Sequence, residues 1–76
     1  MPKLPATSGR RIVRALERAG FVLDRQSGSH ATLIDADAGR SATVPIHGAR
    51  DVPRGTLRRI IRDAGLTVEE FRQLLK

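Results

Sequence analysis

The residues of this chain best suited to chemistry are its two histidines. His30 closes a Gly28-Ser29-His30 triplet between two strand-like runs, and His47 follows a third run in Val44-Pro45-Ile46-His47-Gly48. Both fall at strand ends or turns, where a side chain can face a ligand. Imidazole exchanges a proton near neutral pH, so each is a candidate general acid or base. Gly28 and Ser29 add little bulk beside His30, which leaves room for a backbone phosphate to come close. Imidazoles at strand ends of a small basic chain point toward a nucleic-acid phosphodiester as the target. The plain alternative for either residue is an ordinary turn histidine. For His47 three roles stay open: a second acid or base, a phosphate contact, or a residue that fixes the loop.

The charge balance points to the same class of target. Twelve of the fourteen basic residues are arginine, and the net charge is +6. Arginine keeps its charge and offers a planar fork of donors that matches phosphate, so a polyanionic partner is favoured. An anionic membrane surface fits less well, because the basic helices are short and lack interfacial aromatics. No run nears the roughly 20 apolar residues of a membrane span, and no signal peptide opens the chain. With no cysteine in the sequence, a reducing compartment, the cytoplasm, is expected. His30, His47, Asp24, Asp35 and Asp37 match no metal-ligand spacing, so neither metal nor cofactor is expected.

Local signals define the elements that must position these groups. The 76 residues read as one domain, near the lower size limit for folding without staples. Residues 1–7, with Pro2 and Pro5, form an extended lead-in. Ser8 caps a helix over residues 9–19, and Gly20 stops it. Ile12, Leu16 and Ala19 fall on one side of that helix, with Arg10, Arg14 and Arg18 opposite. Residues 21–26 alternate as a half-buried strand with Phe21 and Leu23 inward. Ser27-Gly28 makes a tight turn into a strand over residues 30–35 that turns Ala31 and Leu33 to one face. A turn over residues 35–39 leads to a third strand, residues 40–46, which Pro45 marks as an edge. Pro53 suits the first turn of a helix ending near Ala64, with Leu57, Ile60, Ile61 and Ala64 buried and Arg58 and Arg62 exposed. Gly55-Thr56 reads as a close helix-packing site, or as a helix start that attracts phosphate. Thr67-Val68-Glu69-Glu70 is a capping box opening a terminal helix within residues 67–76. The fold class is α+β: a meander covered on one face by helices, in the order α-β-β-β-α plus a short C-terminal helix.

Taken as an ordered set, these residues resemble a known family. The series is Gly20-Phe21, Arg25-Gln26-Ser27-Gly28-Ser29-His30, Val44-Pro45-Ile46-His47-Gly48, Gly55-Thr56-Leu57-Arg58-Arg59-Ile60-Ile61 and Ala64-Gly65-Leu66-Thr67-Val68-Glu69-Glu70-Phe71. In that order and at those spacings it is similar to the HicA-type toxins of type II toxin–antitoxin modules, over almost the whole chain. The resemblance implies a double-stranded-RNA-binding-like fold used as a metal-independent mRNA endoribonuclease. It implies that His30 is catalytic; Gly28, Ser29 and His47 are auxiliary candidates from their own chemistry and position. It also implies a HicB-type antitoxin that masks His30, and contact with DNA only indirectly, through that antitoxin. Ala31-Thr32-Leu33 departs from the more aromatic or histidine-bearing stretch of many relatives, which removes base stacking from the second strand.

Arg10, Arg14, Arg18, Arg25, Arg58 and Arg62 are the candidate RNA contacts. Two other readings use the same basic surface. One is a non-catalytic RNA-binding domain, and the other is a protein-interaction module for an acidic partner. His30→Ala separates the first from a nuclease, and a steep salt dependence of affinity separates phosphate binding from the second.

Overall fold

Capping and turn chemistry divide the chain into six elements. In the computed structural model, which describes residues 3–76, these are α1 (Gly9–Arg18), β1 (Val22–Ser27), β2 (His30–Asp35), β3 (Arg40–Pro45), α2 (Arg54–Asp63) and α3 (Val68–Leu74). Met1 and Pro2 of the expected lead-in lie outside the described residues. The Ser8 hydroxyl accepts from the Arg11 N–H, and Thr67 and Glu70 form the reciprocal capping box. Both longer helices close the same way. Gly20 donates to Glu17 O and Phe21 to Leu16 O, while Gly65 donates to Arg62 O and Leu66 to Ile61 O. This is the Schellman arrangement, and both glycines have the positive φ it requires. Pro53 is the N-cap of α2 with an extended ψ of 144°, so the helix begins one residue later than expected.

The strands form one antiparallel sheet in the order β1-β2-β3. Alternation sends Ala31, Leu33, Ala42 and Val44 to one face, where they are buried. Against that face α1 packs on all three strands and α2 packs on β3, while α3 packs on α1. One hydrophobic cluster runs from Leu4 through Ile12, Leu16, Leu33, Val44, Leu57 and Ile60 to Phe71. Phe71 is the one fully buried residue of α3, and a side chain of that size contributes about 1.5–3 kcal/mol on burial. This is the double-stranded-RNA-binding-like α+β sandwich expected from the sequence. No helix among the described residues is long and apolar enough to cross a membrane.

Two local expectations change. β1 is exposed along its whole length, with Val22 at 59% and Leu23 at 49% exposure, instead of half-buried. Phe21 is buried, but as the residue that completes the α1 cap, not as a strand residue. A register shift between Leu23 and Arg25 then breaks the alternation, and a bulge of this kind turns an edge strand away from its neighbours. The tight turn comprises Gly28-Ser29, not Ser27-Gly28, because Ser27 pairs directly with His30. Gly28 carries φ +59° at the first loop position, where a two-residue hairpin of this kind favours glycine. The lead-in also does more than lead in: Leu4 and Thr7 are buried.

Candidate functional site

His30 owes its position to the β1–β2 hairpin. It is the first residue of β2, directly after the Gly28-Ser29 loop. Because Ala31 and Leu33 are buried toward the helices, alternation sends His30, Thr32 and Ile34 to the opposite face of the sheet. Across the ladder His30 pairs with Pro45, and Thr32 pairs with Thr43. The two threonine hydroxyls lie 3.1 Å apart. His30 itself is exposed, so its side chain is free of any packing duty.

His47 is held by a different set of contacts. The Ile46 N–H donates to Ser29 O at 2.6 Å, which carries the β2–β3 ladder one step beyond Pro45. Behind that segment lies Gly9, packed so closely that a Cβ there would run into the Pro45 carbonyl oxygen and reach within 3.1 Å of Ile46 Cα. The Arg50 N–H donates to His47 O at 3.1 Å and closes the turn. Its far side is tied to the start of the chain by a Ser8–Asp51 bridge and by the Val52 N–H donating to Thr7 O at 2.9 Å. The exposed imidazole of His47 therefore hangs from a pinned turn.

These two elements meet a third, the flank of α2. Pro53, Thr56 and Arg59 recur every three residues and so lie along one ridge. Together with Thr43 and Pro45 they line a cleft of about 310 Å³ that both His30 and His47 also line. The cleft holds two imidazoles, one guanidinium, two threonine hydroxyls and two proline rings, and none of its lining side chains is a carboxylate. Such a set can donate and accept protons and attract an anion. Among the described residues no three His, Cys, Asp or Glu side chains converge as metal ligands.

The remaining sequence candidates are spread over the surface. Gly28 is open, with no heavy atom within 4 Å of a built Cβ, and Ser29 contributes its carbonyl to Ile46. Arg25 is the cross-strand partner of Thr32, which puts it on the same sheet face as His30. Arg10 lines a separate cleft of about 310 Å³ with Ser8, Gly48 and Ala49, next in the chain to His47. Arg14 and Arg18 line another hollow, with Arg11 and Leu75. The Nη1 of Arg18 donates to Leu74 O at 2.6 Å and to Lys76 O at 3.0 Å, tying α1 to the end of α3. Arg58 and Arg62 are exposed on α2 but do not line the histidine cleft. Gly55 is exposed and a Cβ there would meet nothing within 4 Å, so close packing is not its role. Arg59 and Thr43 carry no local signal of a site, and Thr56 reads in the sequence only as part of the Gly55-Thr56 helix start. The ridge spacing from Pro53 was visible, but nothing local marked that flank as the one facing the sheet edge.

The family model described as the HicA toxin of bacterial toxin-antitoxin matches residues 9–66, which takes in α1 through α2 and every side chain of the cleft. No curated protein matches the chain.

Proposed function

The chain belongs to the HicA toxin family of bacterial toxin–antitoxin systems, and from that membership we propose that it is an endoribonuclease that cleaves mRNA by histidine acid–base catalysis. The observation that carries the reading is the convergence of His30 and His47, seventeen residues apart in the chain, on one cationic cleft. In this reaction the 2′-oxygen of a ribose attacks the adjacent phosphorus. A neutral imidazole takes the 2′-hydroxyl proton, and an imidazolium gives a proton to the departing 5′-oxygen. The O5′–P bond breaks, leaving a 2′,3′-cyclic phosphate and a 5′-hydroxyl, with no other reactant consumed. Each proton transfer contributes about 10²–10⁴-fold in rate. His30 is the principal catalytic residue and His47 its partner. Gly28 and Ser29 shape the approach, and Arg10, Arg14, Arg25, Arg58 and Arg62 hold flanking phosphates, with Arg18 divided between that role and the α3 carbonyls.

A toxin of this family works against a neutralising antitoxin. Here that partner is a HicB-type protein that covers His30 and supplies any contact with DNA. The chemistry needs no metal. The test is cleavage of a long transcript by wild type and His30→Ala, each with and without excess EDTA. His30→Ala is expected to keep the wild-type thermal midpoint, because the side chain is exposed, and to lose cleavage. Wild type is expected to cleave equally with EDTA. A fully active His30→Ala overturns the assignment, and loss of activity in EDTA that divalent ions restore overturns the metal-free route.

A further inference from the structure

We infer that Arg59 grips the scissile phosphate, as the one permanently charged group of the histidine cleft. The inference rests on the cleavage reading for the identity of the ligand, and deepens it by naming the residue that anchors the reacting group.

The argument starts from what the chemistry lacks. Two imidazoles move protons, but attack on a phosphodiester builds negative charge on the non-bridging oxygens, and proton transfer alone leaves it unbalanced. Preorganised cationic donors aimed at developing charge are the usual remedy. Among the residues lining the cleft, Arg59 is the only one whose charge does not depend on pH. Its guanidinium can meet two phosphate oxygens at once. The hydroxyls of Thr56 and Thr43 offer neutral donors in the same space.

The geometry of α2 singles Arg59 out from its neighbours. Leu57, Ile60 and Ile61 are buried and set the inward direction. At 100° per residue, Thr56 flanks that buried stripe beside Ile60, and Arg59 lies 60° further round on the same side. Arg58 lies on the opposite side, beside Ile61, with Arg62 between it and Arg59, and neither lines the cleft. Helix α2 packs on β3, the strand that carries Thr43 and Pro45. The flank bearing Thr56 and Arg59 is the one that lines the cleft with the ladder pair His30–Pro45. The pinned turn over residues 46–52 fixes His47 at the same rim.

The experiment follows the ring proton resonances of His30 and His47 during titration with adenosine 3′-monophosphate, and in parallel measures transcript cleavage. Four proteins are compared: wild type, Arg59→Gln, Arg59→Lys and Arg72→Gln. The last removes the same charge from exposed α3 surface. Wild type is expected to give saturable shifts of both histidines. Arg59→Gln is expected to lose about 10–100-fold in nucleotide affinity, the range of a charge-assisted hydrogen-bonded contact, and at least as much in cleavage. Arg59→Lys is expected to recover part of both, and Arg72→Gln to stay within about twofold of wild type, the scale of screened surface charge. Equal losses from Arg59→Gln and Arg72→Gln overturn the inference, as does a wild type whose histidines ignore the nucleotide. So does an Arg59→Gln protein that binds and cleaves normally but has lost affinity for its antitoxin, since the cation would then serve the protein partner. If nucleotide binding depends on Arg59 while wild type cuts no RNA, the phosphate site stands and the cleavage reading falls.

Discussion

At the scale of single residues, His30 and His47 line one cleft that no carboxylate side chain lines with them. The proposed mechanism requires one ring to be neutral and the other protonated for turnover. Cleavage by wild type is therefore expected to show a bell-shaped pH dependence. Removing His47 tests its share. His47→Ala is expected to slow cleavage by about 10²–10⁴-fold and to abolish one limb of the bell, with little loss of stability because the ring is exposed. An unchanged pH profile in His47→Ala reduces that residue to a loop anchor. Arg18 makes the contrasting case. On a helical projection it belongs to an arginine stripe, yet its guanidinium binds the carbonyls at the end of α3, where unpaired carbonyls seek donors.

At the scale of elements, the site depends on one close approach between α1 and the end of β3. Gly9→Ala tests it, and two effects compete. Alanine in place of glycine in a helix gains up to about 1 kcal/mol in propensity. The new Cβ, however, meets the Pro45 carbonyl oxygen, which cannot swing aside because Ile46 is bonded to Ser29 O. Overpacking of this kind costs about 1–3 kcal/mol, so the clash wins. The thermal midpoint is expected to fall by several degrees, about 4–8 °C for each kcal/mol lost in a domain of this size. Cleavage is expected to fall further than the folded fraction does, because the His47 turn moves. A variant as stable and active as wild type refutes the pinning role. The outer face of α2 carries a separate expectation. Arg58→Gln with Arg62→Gln should lower the slope of log affinity against log salt by about 0.7 for each single-strand phosphate contact removed. An unchanged slope places both arginines away from the RNA.

At the scale of the whole molecule, a net charge of +6 accompanies an open cleft lined by His30, His47 and Arg59. Charge of that sign speeds encounter with RNA and with an acidic antitoxin alike, while burial sets how long either complex lasts. The antitoxin is expected to inhibit competitively with RNA and to protect β2, the turn over residues 46–52 and α2 from hydrogen exchange. Inhibition with those segments left unprotected replaces masking by an indirect conformational route. Exposed Val22 and Leu23 on the β1 edge lie at the other side of the sheet from β3 and play no part in that expectation.

Much of the architecture was legible in the sequence, because the signals involved act within a few residues. Ser8, Thr67 and Glu70 cap helices through bonds three positions away. Gly20 and Gly65 stop them, and alternation in residues 30–35 and 40–45 sets one sheet face. Those rules fixed the element order, the meander and the placement of His30 and His47 at turns. Tertiary structure alone decided what those turns face. The rotation of α2 about its axis is set by how Leu57, Ile60 and Ile61 pack on β3, and it chose Arg59 for the cleft over Arg58 and Arg62. The bulge after Leu23 and the cap at Phe21 exposed a strand whose pattern read as half-buried. The approach of Gly9 to Pro45, across thirty-six residues of chain, holds the turn that brings His47 to the cleft His30 lines. Hydrogen-bonded caps and period-two alternation are local and survive in one dimension. The flank of a helix that meets a sheet edge depends on side chains far apart in sequence, so it exists only once the core has packed.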